Sequence, residues 1–249
     1  MSLLEQLGAL AASGGRGVLF TVVEGDGAGT NVLVLEGGET IGDGPDEALR
    51  QANELIRAGR NRLLTLADGT RVFAEVYLPP PRLLVYGAVD TAEALCVGAK
   101  LLGWTAIVAD ARAAFATRER IPSADELIVA WPEEAFAQVQ PDHQTAVVVL
   151  THDDKFDVPA LAAALAGPAF YVGALGSRRN QERRRERLLE AGVAEHDLDR
   201  IMGPCGLDIG AETQEATALS ILAEIHAVRT GRDGGFLKRA KRRIHVEIS

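Results

Sequence analysis

Two cysteines in 249 residues, Cys96 and Cys205, are too few to form a disulfide framework, so packing must hold the fold. Such sparing use fits a reducing compartment, and a cytoplasmic protein is expected. Basic residues are also in deficit: 26 Lys and Arg stand against 35 Asp and Glu, a formal charge of −9. That balance excludes a general nucleic-acid binder, which needs a strongly basic face, but leaves room for a local basic pocket. No run reaches the roughly 18 apolar residues of a membrane helix. Residues 1–17 hold short apolar pieces with neither a basic leader nor a long apolar core, so no membrane association is expected. What is present in quantity is apolar substance, 47% against 24% charged, which excludes a disordered chain.

Pro79, Pro80 and Pro81 separate two stretches of different character. Three prolines in a row donate no backbone hydrogen bonds and favour an extended linker. Before them, 17–23 and 31–35 read as strands around a glycine-rich turn at 24–29, a hairpin tip in preference to a phosphate loop because no helix pattern follows. A helix over 45–57 and a strand pair over 61–66 and 70–77 complete a small α+β domain, residues 1–78. After the prolines the pattern alternates: strands at 82–86, 105–109, 126–130, 145–150 and 170–174, with helices at 91–102, 158–165, 180–191 and 212–228. The run TAVVVL at 145–150 suits a strand buried on both faces. Strand–helix alternation predicts an α/β, Rossmann-like, doubly wound parallel sheet over 82–249, with a C-terminal helix and tail.

Such sheets bind ligands beyond the carboxyl ends of their strands, so the residues after each strand carry the chemistry. After the first come Gly87, Ala88 and Val89. A dinucleotide turn has a glycine where Val89 stands, and the segment also reads as an ordinary tight turn. Asp110 lies roughly 20 residues on, the position of a ribose-binding carboxylate in dinucleotide sites; it also reads as a strand-end turn residue, with Arg112 free to meet a phosphate. Thr151, His152 and Asp153 follow the central strand, and His152 can carry a proton near neutral pH or serve in packing. Adjacent carboxylates diverge, so no metal site is expected.

Gly173, Gly176, Ser177, Arg178 and Arg179 precede a predicted helix. A glycine turn, free helix N–H groups and two arginines make the strongest anion site in the chain. The further arginines, Arg183, Arg184, Arg185 and Arg187, interleave with Glu182, Glu186 and Glu190 and read as helix-surface pairing. Cys205, Gly206, Asp208 and Gly210 lie in a glycine-punctuated loop before the last helix. Cys205 is expected to be an accessible thiol of ordinary pKa that contacts the ligand. His152 and Cys205 are the catalytic candidates, both weak.

LTHD at 150–153, VGALGSRR at 172–179 and GLDIGAET at 206–213 occur in order, and the last runs into QEATALSILAEIHAVR. With these motifs the chain resembles the xanthine dehydrogenase accessory (XdhC/CoxI-like) family. The resemblance covers 82–230 and implies a Rossmann-like domain behind a smaller one, commonly in a homodimer. It further implies a maturation factor, not chiefly an enzyme. Such a factor binds the molybdenum (pterin) cofactor and delivers it, after sulfuration, to a xanthine or carbon monoxide dehydrogenase-type client, with a cysteine desulfurase as a further partner. Two stretches differ from the family pattern. The turn 87–92 lacks the usual G-A-G-H-V-A, and 41–47 has no cysteine, so no thiol role is expected there. An NAD(P)-dependent oxidoreductase and a non-catalytic nucleotide-binding regulator are the alternative readings.

Overall fold

The computed structural model describes residues 2–241. The chain forms two compact units, one running through Pro79 and the other from Pro80 to Arg239. The last part of the predicted C-terminal tail, 242–249, lies outside the described residues.

The first unit runs α1 (Leu3–Ala12), β1 (Gly17–Glu24), β2 (Asn31–Leu35), β3 (Thr40–Ile41), α2 (Asp46–Leu49), α3 (Ala52–Ala58), β4 (Arg62–Thr65) and β5 (Arg71–Tyr77). Its antiparallel sheet has the order β3-β2-β1-β5-β4. The glycine-rich turn joins β1 to β2 as a hairpin, with Thr21 opposite Asn31. Side chains alternate across β1. Val18, Phe20 and Val22 pack with Leu55 and Ile56 of α3, whereas Leu19 turns to Leu10 of α1. The sequence pattern missed α1, although Ser2 and Glu5 close a reciprocal capping box at its start.

The second unit runs β6 (Arg82–Tyr86), α4 (Asp90–Leu101), β7 (Thr105–Ala109), β8 (Glu126–Ile128), α5 (Pro132–Val139), β9 (Thr145–Val149), α6 (Asp154–Ala166), β10 (Tyr171–Ala174), α7 (Arg178–Glu190), α8 (Glu195–Leu198), β11 (Ile201–Met202) and α9 (Gln214–Thr230). All its ladders are parallel, in the order β11-β10-β9-β6-β7-β8. The chain runs outward from β6 to one edge and then returns to β9, so the topological switch of a Rossmann sheet lies between β6 and β9. Both central strands are buried on both faces. Leu83, Val85, Ala146 and Val148 meet α4 and α9, and Leu84, Tyr86, Val147 and Val149 meet α5 and α6. Helix α5 is absent from the sequence reading; its proline sits in the first turn, where a missing N–H costs nothing. Among the described residues no helix is long and apolar enough to cross a membrane.

Candidate functional site

The carboxyl ends of β6, β7, β9 and β10 bring the predicted segments to one edge of the sheet. There they divide into a buried frame and an exposed rim. Gly87, Ala88, Asp110, Thr151, Gly173 and Cys205 are buried. His152, Asp153, Ser177, Arg178, Arg179, Asp208 and Gly210 are exposed, and Val89, Gly176 and Gly206 are half-buried.

The frame starts at the switch point. The Gly87 N–H donates to the Ala109 carbonyl at 2.8 Å. The Ala88 N–H donates to Asp110 Oδ2 at 2.9 Å. Arg112 closes on the same carboxylate, with Nε 2.9 Å from Oδ1 and Nη2 2.7 Å from Oδ2. Burial opposes ionisation of Asp110, but the Arg112 side chain, its backbone N–H and that of Ala88 outweigh it and hold the carboxyl below its usual value. Both oxygens are thus engaged inside the protein. This corrects the ribose role expected of Asp110 and the phosphate role expected of Arg112 as a free cation.

Val89 caps α4 with extended backbone and no side-chain hydrogen bond. The next residue, Asp90, sits in the first turn, pairs with Arg120 at 3.0 Å and accepts from Gln214 Nε2 at 3.4 Å. A carboxylate already complements the positive end of this helix. The amino end of α4 is therefore a poor seat for a pyrophosphate.

A buried network that the sequence reading missed runs behind the next two turns. Thr151 Oγ1 donates to Asp157 Oδ1, and Arg184 Nη2 donates to Asp157 Oδ2 at 2.6 Å and to the Leu175 carbonyl at 3.0 Å. Arg184 Nη1 donates to Gln181 Oε1 at 2.5 Å, and Gln181 Nε2 donates to the Ala174 carbonyl at 3.1 Å. Arg184 and Asp157 are 3% and 2% exposed. This corrects the surface-pairing reading of the arginine run. Arg183, Arg185 and Arg187 do pair on the surface, but Arg184 turns inward. It lies one turn before the buried Leu188, on the face that α7 packs against the sheet. That periodicity was the available signal.

On the rim, α7 begins two residues earlier than its pattern suggested. Ser177 is its N-cap, accepting from the Asn180 N–H at 3.3 Å, so Arg178 and Arg179 are the first two helical residues. No acidic residue shares that turn, and neither arginine has a hydrogen bond or ion pair among the described residues. Gly176 stands before them at φ +134°, a conformation closed to side-chain-bearing residues. Two free guanidinium groups, first-turn N–H groups and a glycine approach form a donor set that suits a phosphate. His152 and Asp153 border this rim. Asp153 is the N-cap of α6, accepting from the Lys155 N–H at 3.1 Å.

Two expectations need correction here, while Asp208 and Gly210 stay exposed in the loop before α9. Gly173 is enclosed in β10 and a Cβ there would lie 2.6 Å from the Tyr171 ring, so its glycine serves packing and not ligand approach. Cys205 is buried in the core between the sheet and α9, its N–H donating to the Ala174 carbonyl at 3.1 Å. Burial, then the Glu224 charge, pushes its thiol up to about 12. At pH 8 the thiol thus stays protonated. Iodoacetamide should therefore leave folded protein unlabelled at pH 8 and label it only after denaturation. Rapid labelling of the folded state would contradict this placement.

A family model described as the XdhC Rossmann domain matches residues 83–225. Among curated relatives, a protein of Bacillus subtilis (strain 168) described as a probable xanthine dehydrogenase component is 32% identical over 200 residues, 80% of this chain and 58% of that protein. "Molybdenum cofactor insertion chaperone PaoD" of Escherichia coli (strain K12) is 32% identical over 153 residues, 61% of this chain and 42% of that protein. The chain spans less than two thirds of either relative. A crystal structure described as a xanthine dehydrogenase from Bacillus halodurans shares the fold, with a TM-score of 0.69 at 24% identity over 92% of this chain and 66% of that one. The family match takes in more than half of the chain, including the switch point, the Thr151 turn and both free arginines; this chain belongs to the XdhC family.

Proposed function

We propose that this chain holds the molybdenum cofactor, a phosphorylated pterin, and hands it to a molybdenum hydroxylase of the xanthine or carbon monoxide dehydrogenase type. One observation carries the reading: Arg178 and Arg179, both free, open α7 directly after Gly176 at the ligand-binding edge of the sheet. The cofactor is cargo here. The chain's own task is to grip its phosphate through the two guanidinium groups and the first N–H groups of α7. Asp157 and Arg184 fix the underside of that helix against the Thr151 turn. His152 and Asp153 orient the remainder of the ligand from the neighbouring turn. The names of the relatives in Bacillus subtilis and Escherichia coli support the same reading.

An NAD(P)-dependent oxidoreductase is the second reading, favoured by the Rossmann strand order alone. Val89 in the glycine position, Asp90 at the helix end and the occupied Asp110 all weigh against it. A homodimer, a cytoplasmic setting and a cysteine desulfurase partner complete the proposal, and light scattering tests the first.

The decisive measurement is cofactor affinity in the arginine variants. Hydrogen bonds to charged groups contribute about 1.5–3 kcal/mol each, so Arg178→Ala with Arg179→Ala should weaken binding at least about tenfold. Both side chains are exposed and unpaired, so the melting temperature should stay within about 2 °C of wild type. Unchanged affinity in the double variant would return these arginines to a solvated helix start. Micromolar NADH binding with hydride transfer would put the oxidoreductase first.

A further inference from the structure

Behind the rim, one carboxylate of α9 ties together a strand and a turn. The buried Tyr171 of β10 donates its hydroxyl to Glu224 Oε2 at 2.5 Å. Burial holds that hydroxyl far above its usual pKa, so it remains a donor. The Gly206 N–H donates to the same oxygen at 2.9 Å. Neighbouring bonds complete a clamp on the turn 203–207. The Cys205 N–H donates to the Ala174 carbonyl at 3.1 Å, the Leu207 N–H to the Ser220 carbonyl at 3.2 Å, and Ser220 Oγ to the Leu207 carbonyl at 2.5 Å. Beyond Leu207 the loop is exposed through Thr213, so the clamp fixes its base alone. The clamped turn also touches the start of α7. The Ala174 carbonyl that accepts from Cys205 accepts from Gln181 Nε2 at 3.1 Å as well. A Cβ on Gly203 would lie 2.5 Å from Gln181 Oε1, so the backbone of the turn rests against that amide. The Gln181 N–H in turn donates to the carbonyl of Ser177, the cap of α7, at 3.1 Å.

We propose that Glu224 is a positioning residue for the phosphate grip. It pins the turn 203–207 between β10 and α9, and the pinned turn holds Gln181 and with it the first turn of α7, from which Arg178 and Arg179 reach the ligand. The inference rests on the reading of those two arginines as the phosphate site and names a residue behind it that touches no ligand. A carboxylate suits the task, because hydrogen bonds to an ionised acceptor are roughly twice as strong as neutral ones. One oxygen gathers a side-chain hydroxyl from the sheet and a backbone N–H from the turn, so its loss releases both at once.

Two variants test it. Glu224→Ala removes both bonds, whereas Glu224→Gln removes the charge and keeps an oxygen able to accept both. In the full chain without ligand, Glu224→Ala should speed amide hydrogen exchange at Asn180 and Gln181 at least about threefold. It should also raise iodoacetamide labelling of Cys205 at pH 8 at least about tenfold, while Cys96, buried in α4, stays unlabelled. That contrast tells a locally opened turn from a loosened fold. Affinity for the molybdenum cofactor should fall at least about fivefold. Glu224→Gln should stay near wild type in all three measurements. Equal labelling of Cys205 in both variants would show that the Glu224 charge alone governs the thiol, and would overturn the clamp. So would simultaneous labelling of Cys96, or unchanged exchange at the start of α7. Joint variation of Arg178 and Arg179 separates the two proposals. If it weakens the cofactor and Glu224→Ala does not, the positioning role is wrong; if it too leaves affinity unchanged, the phosphate reading falls and takes this inference with it.

Discussion

Asp157→Asn is expected to destabilise the Rossmann unit by about 3–5 kcal/mol, because it leaves the Arg184 charge buried without its counter-ion. For a chain of this size that corresponds to a fall in melting temperature of roughly 6–20 °C. Burial is the largest influence on Asp157 and raises its carboxyl above the usual value, against the hydrogen bonds from Thr151 and Arg184. The pair therefore gains little over an apolar contact, yet loses much when halved. Two companion variants separate these terms. Thr151→Val removes one hydrogen bond and should cost about 1 kcal/mol. Asp157→Leu combined with Arg184→Met removes both charges and should recover most of the loss. Urea midpoints at constant slope measure all three. A neutral Asp157→Asn, or a double variant no better than the single, would show that this network does not hold α7.

Gly87→Ala should be nearly as damaging, for a different reason. Gly87 has φ +115°, and a Cβ there would lie 2.9 Å from Thr151 Cγ2, 3.1 Å from the Thr151 nitrogen and 3.3 Å from the Leu150 carbonyl carbon. Two of those three atoms are backbone of the strand end across the switch point and have nowhere to go. Strain of about 1–3 kcal/mol adds to an overpacking cost of about 1–3 kcal/mol. Gly210→Ala supplies the control: φ is +69°, also positive, but no atom lies within 4 Å of the added Cβ. It should cost only about 1 kcal/mol. If both alanine variants melt together, the close approach of the β6 and β9 turns is not what glycine preserves at position 87.

Much of the architecture was legible because it rests on local patterns. Unbroken apolar runs in TAVVVL and in residues 82–86 placed both central strands, and their alternation with helices gave the parallel class. Glycine turns and Arg178 with Arg179 also stood out, since a glycine next to paired cations before a helix is a pattern of near neighbours. The boundaries that failed were those set by caps. Helix α7 starts at Arg178 because Ser177 accepts from Asn180, and α6 starts at Asp154 because Asp153 accepts from Lys155. Extending α6 by that cap would have put Asp157 on its buried face.

The sequence by itself determined the strand-rich core, the absence of a disulfide framework, the strand-end turns that carry the candidate residues, and a cationic pair close to a helix start. Only the tertiary structure decided which polar residues face that edge and which support it. Arg184 is buried while its neighbours are solvated, Asp110 is closed by Arg112, and Cys205 is packed beneath α9 although its loop is rich in glycine. Trp131 meets Phe156 and Lys155 only because the segments after β8 and β9 meet across the edge. Periodicity reports whether a residue has a buried side, and that is a local property. The identity of its partner depends on strand order, which brings residues dozens of positions apart within a few ångströms, and no spacing along the chain records it.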